Sequence, residues 1–253
     1  MTAVVMVHGA FCGGWAFENF RKPFEAAGFE VIAPDLRGHG EGDPSSAVVG
    51  VSMTDYATDI AQLCAGLPQP PVLLGHSMGG LVAQLAARKA EIGALVLLAP
   101  SPPWGVAGSS LEEAATAFGV SMMGAFSSGA LQPDKSLMRT YSLDRMPKAE
   151  QDAAVARLRP ESAAAVRETL NWWLDPFMTT SVGPGTIQAP SLVISGQRDV
   201  VHSSSTAKAT AERVGAELEV MPEMSHWLLG EPGWDQVADL TLRWLRETVS
   251  LAA

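Results

Sequence analysis

The segment Val72-Leu73-Leu74-Gly75-His76-Ser77-Met78-Gly79-Gly80 sets a serine inside a Gly-x-Ser-x-Gly turn, between an apolar run and a helical pattern beginning Leu81-Val82-Ala83. A strand that turns sharply into a helix holds such a serine in a strained backbone conformation at the carboxyl end of a sheet, and the flanking glycines remove side chains that would collide. The chemistry this permits is nucleophilic attack by Ser77, which requires a base held in place by a third group. The histidines are His8, His39, His76, His202 and His226. His226 lies in Pro222-Glu223-Met224-Ser225-His226-Trp227, after the last apolar run and before the final helical pattern, where a loop can carry it over Ser77. Ser195-Gly196-Gln197-Arg198-Asp199 follows an apolar run directly and puts Asp199 at the same sheet edge. A buried carboxylate there would fix the imidazole tautomer and stabilise the imidazolium as it forms. His202 as base would oblige one short loop to supply both groups, and Asp175, Glu223 and Glu231 are the rival acids.

Acyl transfer also needs donors for an oxyanion. One is the backbone N–H of Met78, at the positive end of the helix that follows Ser77. The second is assigned to Ala10, in Val7-His8-Gly9-Ala10-Phe11, with Phe11 as the fallback; the His8 imidazole can equally be a brace for that loop.

Short apolar runs at Ala3 to Val7, Glu30 to Ala33, Pro71 to Gly75, Ala94 to Ala99, Ser191 to Ser195 and Glu217 to Met221 read as strands. Between them Trp15 to Ala27, Thr54 to Gly66, Met78 to Lys89, Thr206 to Val214 and Trp234 to Thr248 carry the i, i+3, i+4 spacing of helices packed on a sheet. This alternation predicts an α/β fold with a mostly parallel central sheet and helices on both faces. From about Ser101 to Gln188 no strand is predicted; helical segments near Leu111 to Ala125, Lys148 to Leu158 and Pro160 to Leu174 read as a helical insertion.

Of 253 residues 47% are apolar and 17% charged, which describes a single domain with a substantial core. The formal charge of −10 excludes nucleic acid and anionic membrane surfaces as partners, since both would repel the chain. Cys12 and Cys64 fit no disulfide framework or metal-ligand spacing and are read as free thiols. The apolar opening has no basic flank and no run approaches the ~18 residues that span a bilayer, so a cytoplasmic protein is expected.

His8-Gly9-Ala10, Asp35-Leu36-Arg37-Gly38-His39-Gly40, Gly75-His76-Ser77-Met78-Gly79-Gly80, Gly196-Gln197-Arg198-Asp199 and Ser225-His226 resemble, in order and spacing, the α/β-hydrolase superfamily. The opening His8 to Trp15 is similar to the branch of small esterases and hydroxynitrile lyases. The resemblance implies the chain order Ser, acid, His, hence the triad Ser77, Asp199 and His226, a core of residues 1–100 and 189–253, and a helical cap of residues 101–188. It implies a carboxylic ester hydrolase acting through an acyl-enzyme on a small-molecule ester, with no metal or organic cofactor. Lactonase, cofactor-free peroxidase, lyase and ligand-receptor activities are the alternatives. Lyases of this branch have Thr where this chain has Gly9, and Lys where it has Trp227. Phe11 and Trp227 are expected on an apolar pocket wall, with Trp104, Trp172 and Trp173 in the cap; neighbouring Trp172 and Trp173 cannot face the same way on a helix, so one is expected in the core and the other in the roof.

Overall fold

The computed structural model describes residues 1–108 and 129–249. Six strands, β1 (Ala3–Val7), β2 (Glu30–Ile32), β3 (Val72–His76), β4 (Ala94–Leu98), β7 (Ser191–Gly196) and β8 (Glu217–Met221), form one sheet in the order β2-β1-β3-β4-β7-β8. Every pairing is parallel, with Val5 opposite Leu73, Leu73 opposite Leu95 and Leu97 opposite Val193. The strands match the predicted runs to within a residue or two because a parallel sheet covered on both faces needs continuous apolar runs, and β1, β3 and β4 are buried along their whole length.

Alternate residues serve opposite faces. Val4, Met6, Val72, Leu74, Val96 and Ile194 join one core cluster with Phe20 and Phe24 of α1 (Glu18–Ala26) and Leu245 of α7 (Trp234–Thr248). Val5, Val7, Leu73, Leu97 and Val193 join the other, with Tyr56 and Ile60 of α2 (Met53–Ala65), Leu81 of α3 (Met78–Ala86) and Ala207 of α6 (Ser204–Val214). The α2 start is set by a reciprocal capping box between Ser52 and Asp55. Both cysteines are buried free thiols, and burial pushes the Cys12 thiol well up, into the unreactive form. Among the described residues no helix is long and apolar enough to cross a membrane.

The insertion departs from the predicted pattern in three places, the first being a helical stretch, Lys135–Leu137 continued by Met138–Ser142, where none was predicted. It also contains a small antiparallel pair, β5 (Ala130–Leu131) with β6 (Glu161–Ser162), where no strand was expected. The segment predicted as one helix from Pro160 to Leu174 is divided into β6, α5 (Ala163–Leu170) and a 3₁₀ turn Trp172–Leu174, because the Ser162 hydroxyl caps α5 at Ala165 N–H. The predicted segment Lys148 to Leu158 is the helix α4 (Lys148–Ala156), and the predicted helix Leu111 to Ala125 lies outside the described residues.

Candidate active site

All six strands point their carboxyl ends to one edge, the edge where ligands bind in parallel α/β sheets. Ser77 sits there between β3 and α3 with φ 53° and ψ −125°, a left-handed conformation that a side chain adopts only under constraint. The constraint is visible: Ser77 N–H donates to Leu98 O at 3.0 Å, and its carbonyl accepts from Gly80 N–H at 2.8 Å and Ser101 N–H at 2.9 Å. At Gly79 a Cβ would lie 2.2 Å from His8 O and 2.3 Å from Val7 O, so only glycine lets α3 press onto the end of β1.

The Ser77 hydroxyl is 3.0 Å from His226 Nε2, and His226 Nδ1 is 2.9 Å from Asp199 Oδ2. The other Asp199 oxygen accepts Val201 N–H at 2.8 Å and His202 N–H at 2.9 Å. Burial works against the Asp199 charge, but the His226 ring and these N–H donors hold its carboxyl below the usual range, so it stays a carboxylate and fixes the Nδ1–H tautomer of His226. Ser77 is half-buried while His226 and Asp199 are 2% and 4% exposed, which leaves the Ser77 hydroxyl as the accessible end of the relay.

Two further histidines surround His226. His76 Nε2 lies 3.0 Å from the His226 carbonyl; burial, reinforced by His226, pushes its pKa down to about 3, so the ring is neutral and donates. His202, the rival base, is buried with Nε2 2.9 Å from Ser101 Oγ, and its ring centroid is 5.4 Å from that of His226. The rival acids are engaged elsewhere. Asp175 accepts Phe177 and Thr179 N–H, Glu223 pairs with Arg198, and Glu231 accepts Ser225 N–H at 2.8 Å.

Around the oxyanion position, the N–H groups of Ala10 and Met78 have no hydrogen-bond partner among the described residues. Phe11 N–H is instead directed 3.4 Å to Glu161 Oε2. His8 is the loop's brace: its Nε2 accepts Leu36 N–H at 2.9 Å, its Nδ1 donates to Gly9 O at 2.9 Å, and burial lowers its pKa to about 4.

The aromatic residues differ from expectation. Trp227 is 4% exposed and belongs to the core, its ring 6.0 Å from Trp15 and 5.2 Å from His76, because the chain after His226 turns inward. Phe11 is 6% exposed, packed with Leu131, Ala163 and Val166 of the insertion. Neither neighbouring tryptophan is buried: Trp173 is 61% exposed, and Trp172 is half-buried, edge-on to Trp104 at 5.4 Å. A 3₁₀ turn at the surface, not a core helix, carries both. Sequence reasoning missed Glu161 altogether and weighed Glu231 only as a rival acid.

A sequence profile of the alpha/beta hydrolase family matches residues 4–240. The chain is 38% identical to a pyrethroid hydrolase of Sphingobium wenxiniae over 80 residues, which is 32% of this chain and 28% of that protein. It is 36% identical to salicylic acid-binding protein 2 of Nicotiana tabacum over 110 residues, 42% of each chain. The aligned stretches thus span less than half the length of these curated relatives. The crystal structure of a methylesterase from Arabidopsis superimposes with a TM-score of 0.74 at 20% identity, over 98% of this chain and 100% of that one.

Proposed function

Because the chain belongs to the α/β-hydrolase family, we propose that it is a carboxylic ester hydrolase whose nucleophile is Ser77, whose base is His226 and whose orienting acid is Asp199. The observation that carries this reading is the unbroken relay from Ser77 Oγ through the His226 ring to Asp199, with links of 3.0 and 2.9 Å. His226 Nε2 takes the Ser77 proton as Oγ adds to the ester carbonyl. The oxyanion accepts the N–H groups of Met78 and Ala10. His226 then returns the proton to the departing alcohol, leaving the acyl group on Ser77. A water attacks the acyl carbon with His226 again as base, releasing the acid and restoring the hydroxyl. Each cycle consumes one ester and one water and yields one acid and one alcohol, with no other reactant.

Relatives named for pyrethroid hydrolysis and as a methylesterase support the same bond type, and fold alone would not select it. The substrate we assign is an uncharged hydrophobic or aromatic ester, roofed by the insertion as a cap over residues 101–188. Trp104 and Trp172 are the cap aromatics given to substrate contact: Trp104 is three residues beyond Ser101, whose N–H bonds the Ser77 carbonyl. The test is a panel of aryl esters, alkyl esters and lactones assayed with wild type and Ser77→Ala, with and without a serine-directed phosphonate. Ser77→Ala should lose several orders of magnitude in kcat while keeping its fold. Phosphonate adduction at another residue with loss of activity, or an active Ser77→Ala, would overturn the reading.

A further inference from the structure

Glu161, in β6 of the insertion, is a fully buried carboxylate. Its Oε1 accepts Tyr56 Oη–H and Ser162 N–H, both at 2.7 Å. Its Oε2 is 3.1 Å from His39 Nε2 and 3.4 Å from Phe11 N. Those four donors use its whole accepting capacity. Three of them lie outside the insertion: on the loop after β1, on the loop after β2 and on α2. Burial disfavours both charges, yet His39 and Glu161 hold each other ionised, the imidazole raised and the carboxyl lowered. The group is therefore a permanent acceptor for the Phe11 N–H.

Phe11 is gripped a second time. Arg159 N–H, two residues before Glu161, donates to Phe11 O at 2.8 Å, and the Phe11 ring packs on Leu131, Ala163 and Val166. Phe11 itself has φ 64°, a left-handed conformation that is strained for a side-chain-bearing residue and needs an external hold. Phe11 N–H and Ala10 C=O share one peptide plane, so directing that N–H to Glu161 also fixes the orientation of the residue before it.

We propose that Glu161 is a positioning residue for the reaction: by taking the Phe11 N–H, the cap sets the oxyanion loop so that the Ala10 N–H, not that of Phe11, meets the developing oxyanion. The proposal rests on the ester-hydrolase reading, and stoichiometric phosphonate titration at Ser77 in wild type tests that reading separately. Glu161→Ala should lower kcat per titrated site by about 10- to 100-fold, on the scale of a displaced oxyanion donor. Affinity for a trifluoromethyl ketone that forms a tetrahedral adduct should fall by the same factor, with affinity for the product acid unchanged. Glu161→Gln can present its carbonyl to Phe11 N–H and His39 and its amide to Tyr56 Oη, at the cost of the Ser162 N–H contact, so it should lower the melting temperature yet keep kcat per titrated site well above that of Glu161→Ala. A merely structural role would lower the melting temperature and the titratable fraction without changing kcat per site, and that result overturns the proposal. If Glu161→Ala does not fold, the wild-type protein decides: on forming the phosphonate adduct, the Ala10 amide proton should move downfield while that of Phe11 stays in place. Movement of the Phe11 amide instead makes Phe11 the donor and ends the proposal.

Discussion

Glu231 supplies a stability experiment with a definite sign. Its side chain is 1% exposed; Oε1 accepts Ser225 N–H, while Oε2 has no hydrogen-bond partner among the described residues and the Arg145 guanidinium stays 3.8 Å away. Burial pushes this carboxyl from 4.5 up to about 7, despite the Ser225 N–H, with Asp144 adding to the rise. A carboxyl that binds its proton more tightly when folded stabilises the fold fully below about pH 4.5, and that stabilisation is lost as pH rises through about 7. At about 1.4 kcal/mol per tenfold change in proton affinity, the loss between pH 4.5 and 8 comes to about 3 kcal/mol, a large part of the ~5–15 kcal/mol that holds a domain folded. Glu231→Gln keeps a carbonyl for Ser225 N–H and has no proton to lose. Urea unfolding of both proteins from pH 5 to 8 should show the variant gaining about 2.5 kcal/mol on wild type across the range, with the other ionisable groups cancelling in the difference. A difference constant within about 0.5 kcal/mol would show that Glu231 does not titrate as its surroundings dictate.

Asp199→Asn should preserve the fold, since the amide oxygen can still accept Val201 and His202 N–H, but it turns an N–H toward His226 Nδ1; kcat should fall about 10⁴-fold, and near wild-type turnover would reassign the acid. At Gly9 a Cβ would lie 3.0 Å from Ser77 Cβ and 3.3 Å from His76 Nδ1. Gly9→Thr should therefore cost at least about tenfold in ester kcat with little change in melting temperature, and unchanged turnover would mean that the elbow yields freely. Trp104→Ala should change the ratio of kcat/KM between bulky aryl and short alkyl esters; an unchanged ratio, or a wild-type preference for charged esters, removes the cap aromatics from substrate contact.

The elements legible in the sequence were those whose pattern is local. Pro71 to Gly75 and Ala94 to Ala99 read as buried strands because covered parallel strands carry unbroken apolar runs; Ser77 and Asp199 each come just after such a run, whereas His226 comes after the alternating, partly exposed Glu217-Leu218-Glu219-Val220-Met221. Glu161 had no local signal: in Arg159-Pro160-Glu161-Ser162 it reads as the start of a helix, and its burial depends on meeting His39 and Tyr56, both more than 100 residues away in sequence. The strands β5 and β6, two residues each, are too short to show any periodicity. Trp227 was expected beside the substrate because it adjoins His226, but a loop residue next to a catalytic one can point the other way, here into the cluster with Phe17 and Leu228.

In the sheet β4 lies directly beside β7, with Leu98 opposite Ile194. Residues 99–190 are therefore one crossover between adjacent parallel strands, enlarged from the dozen or so residues such a connection requires. Ser77 and the loop at Ala10 are encoded before it and Asp199 and His226 after it, so this stretch can be exchanged between related chains without shifting the register of any strand that carries the proposed site. The Phe11 peptide restricts such an exchange, because a grafted insertion must bring its own acceptor for that N–H and its own apolar seat for that ring. Chimeras made at Ala99 and Pro190 should accordingly divide by whether the donor insertion carries a carboxylate at the place of Glu161, more sharply than by overall likeness of the two insertions.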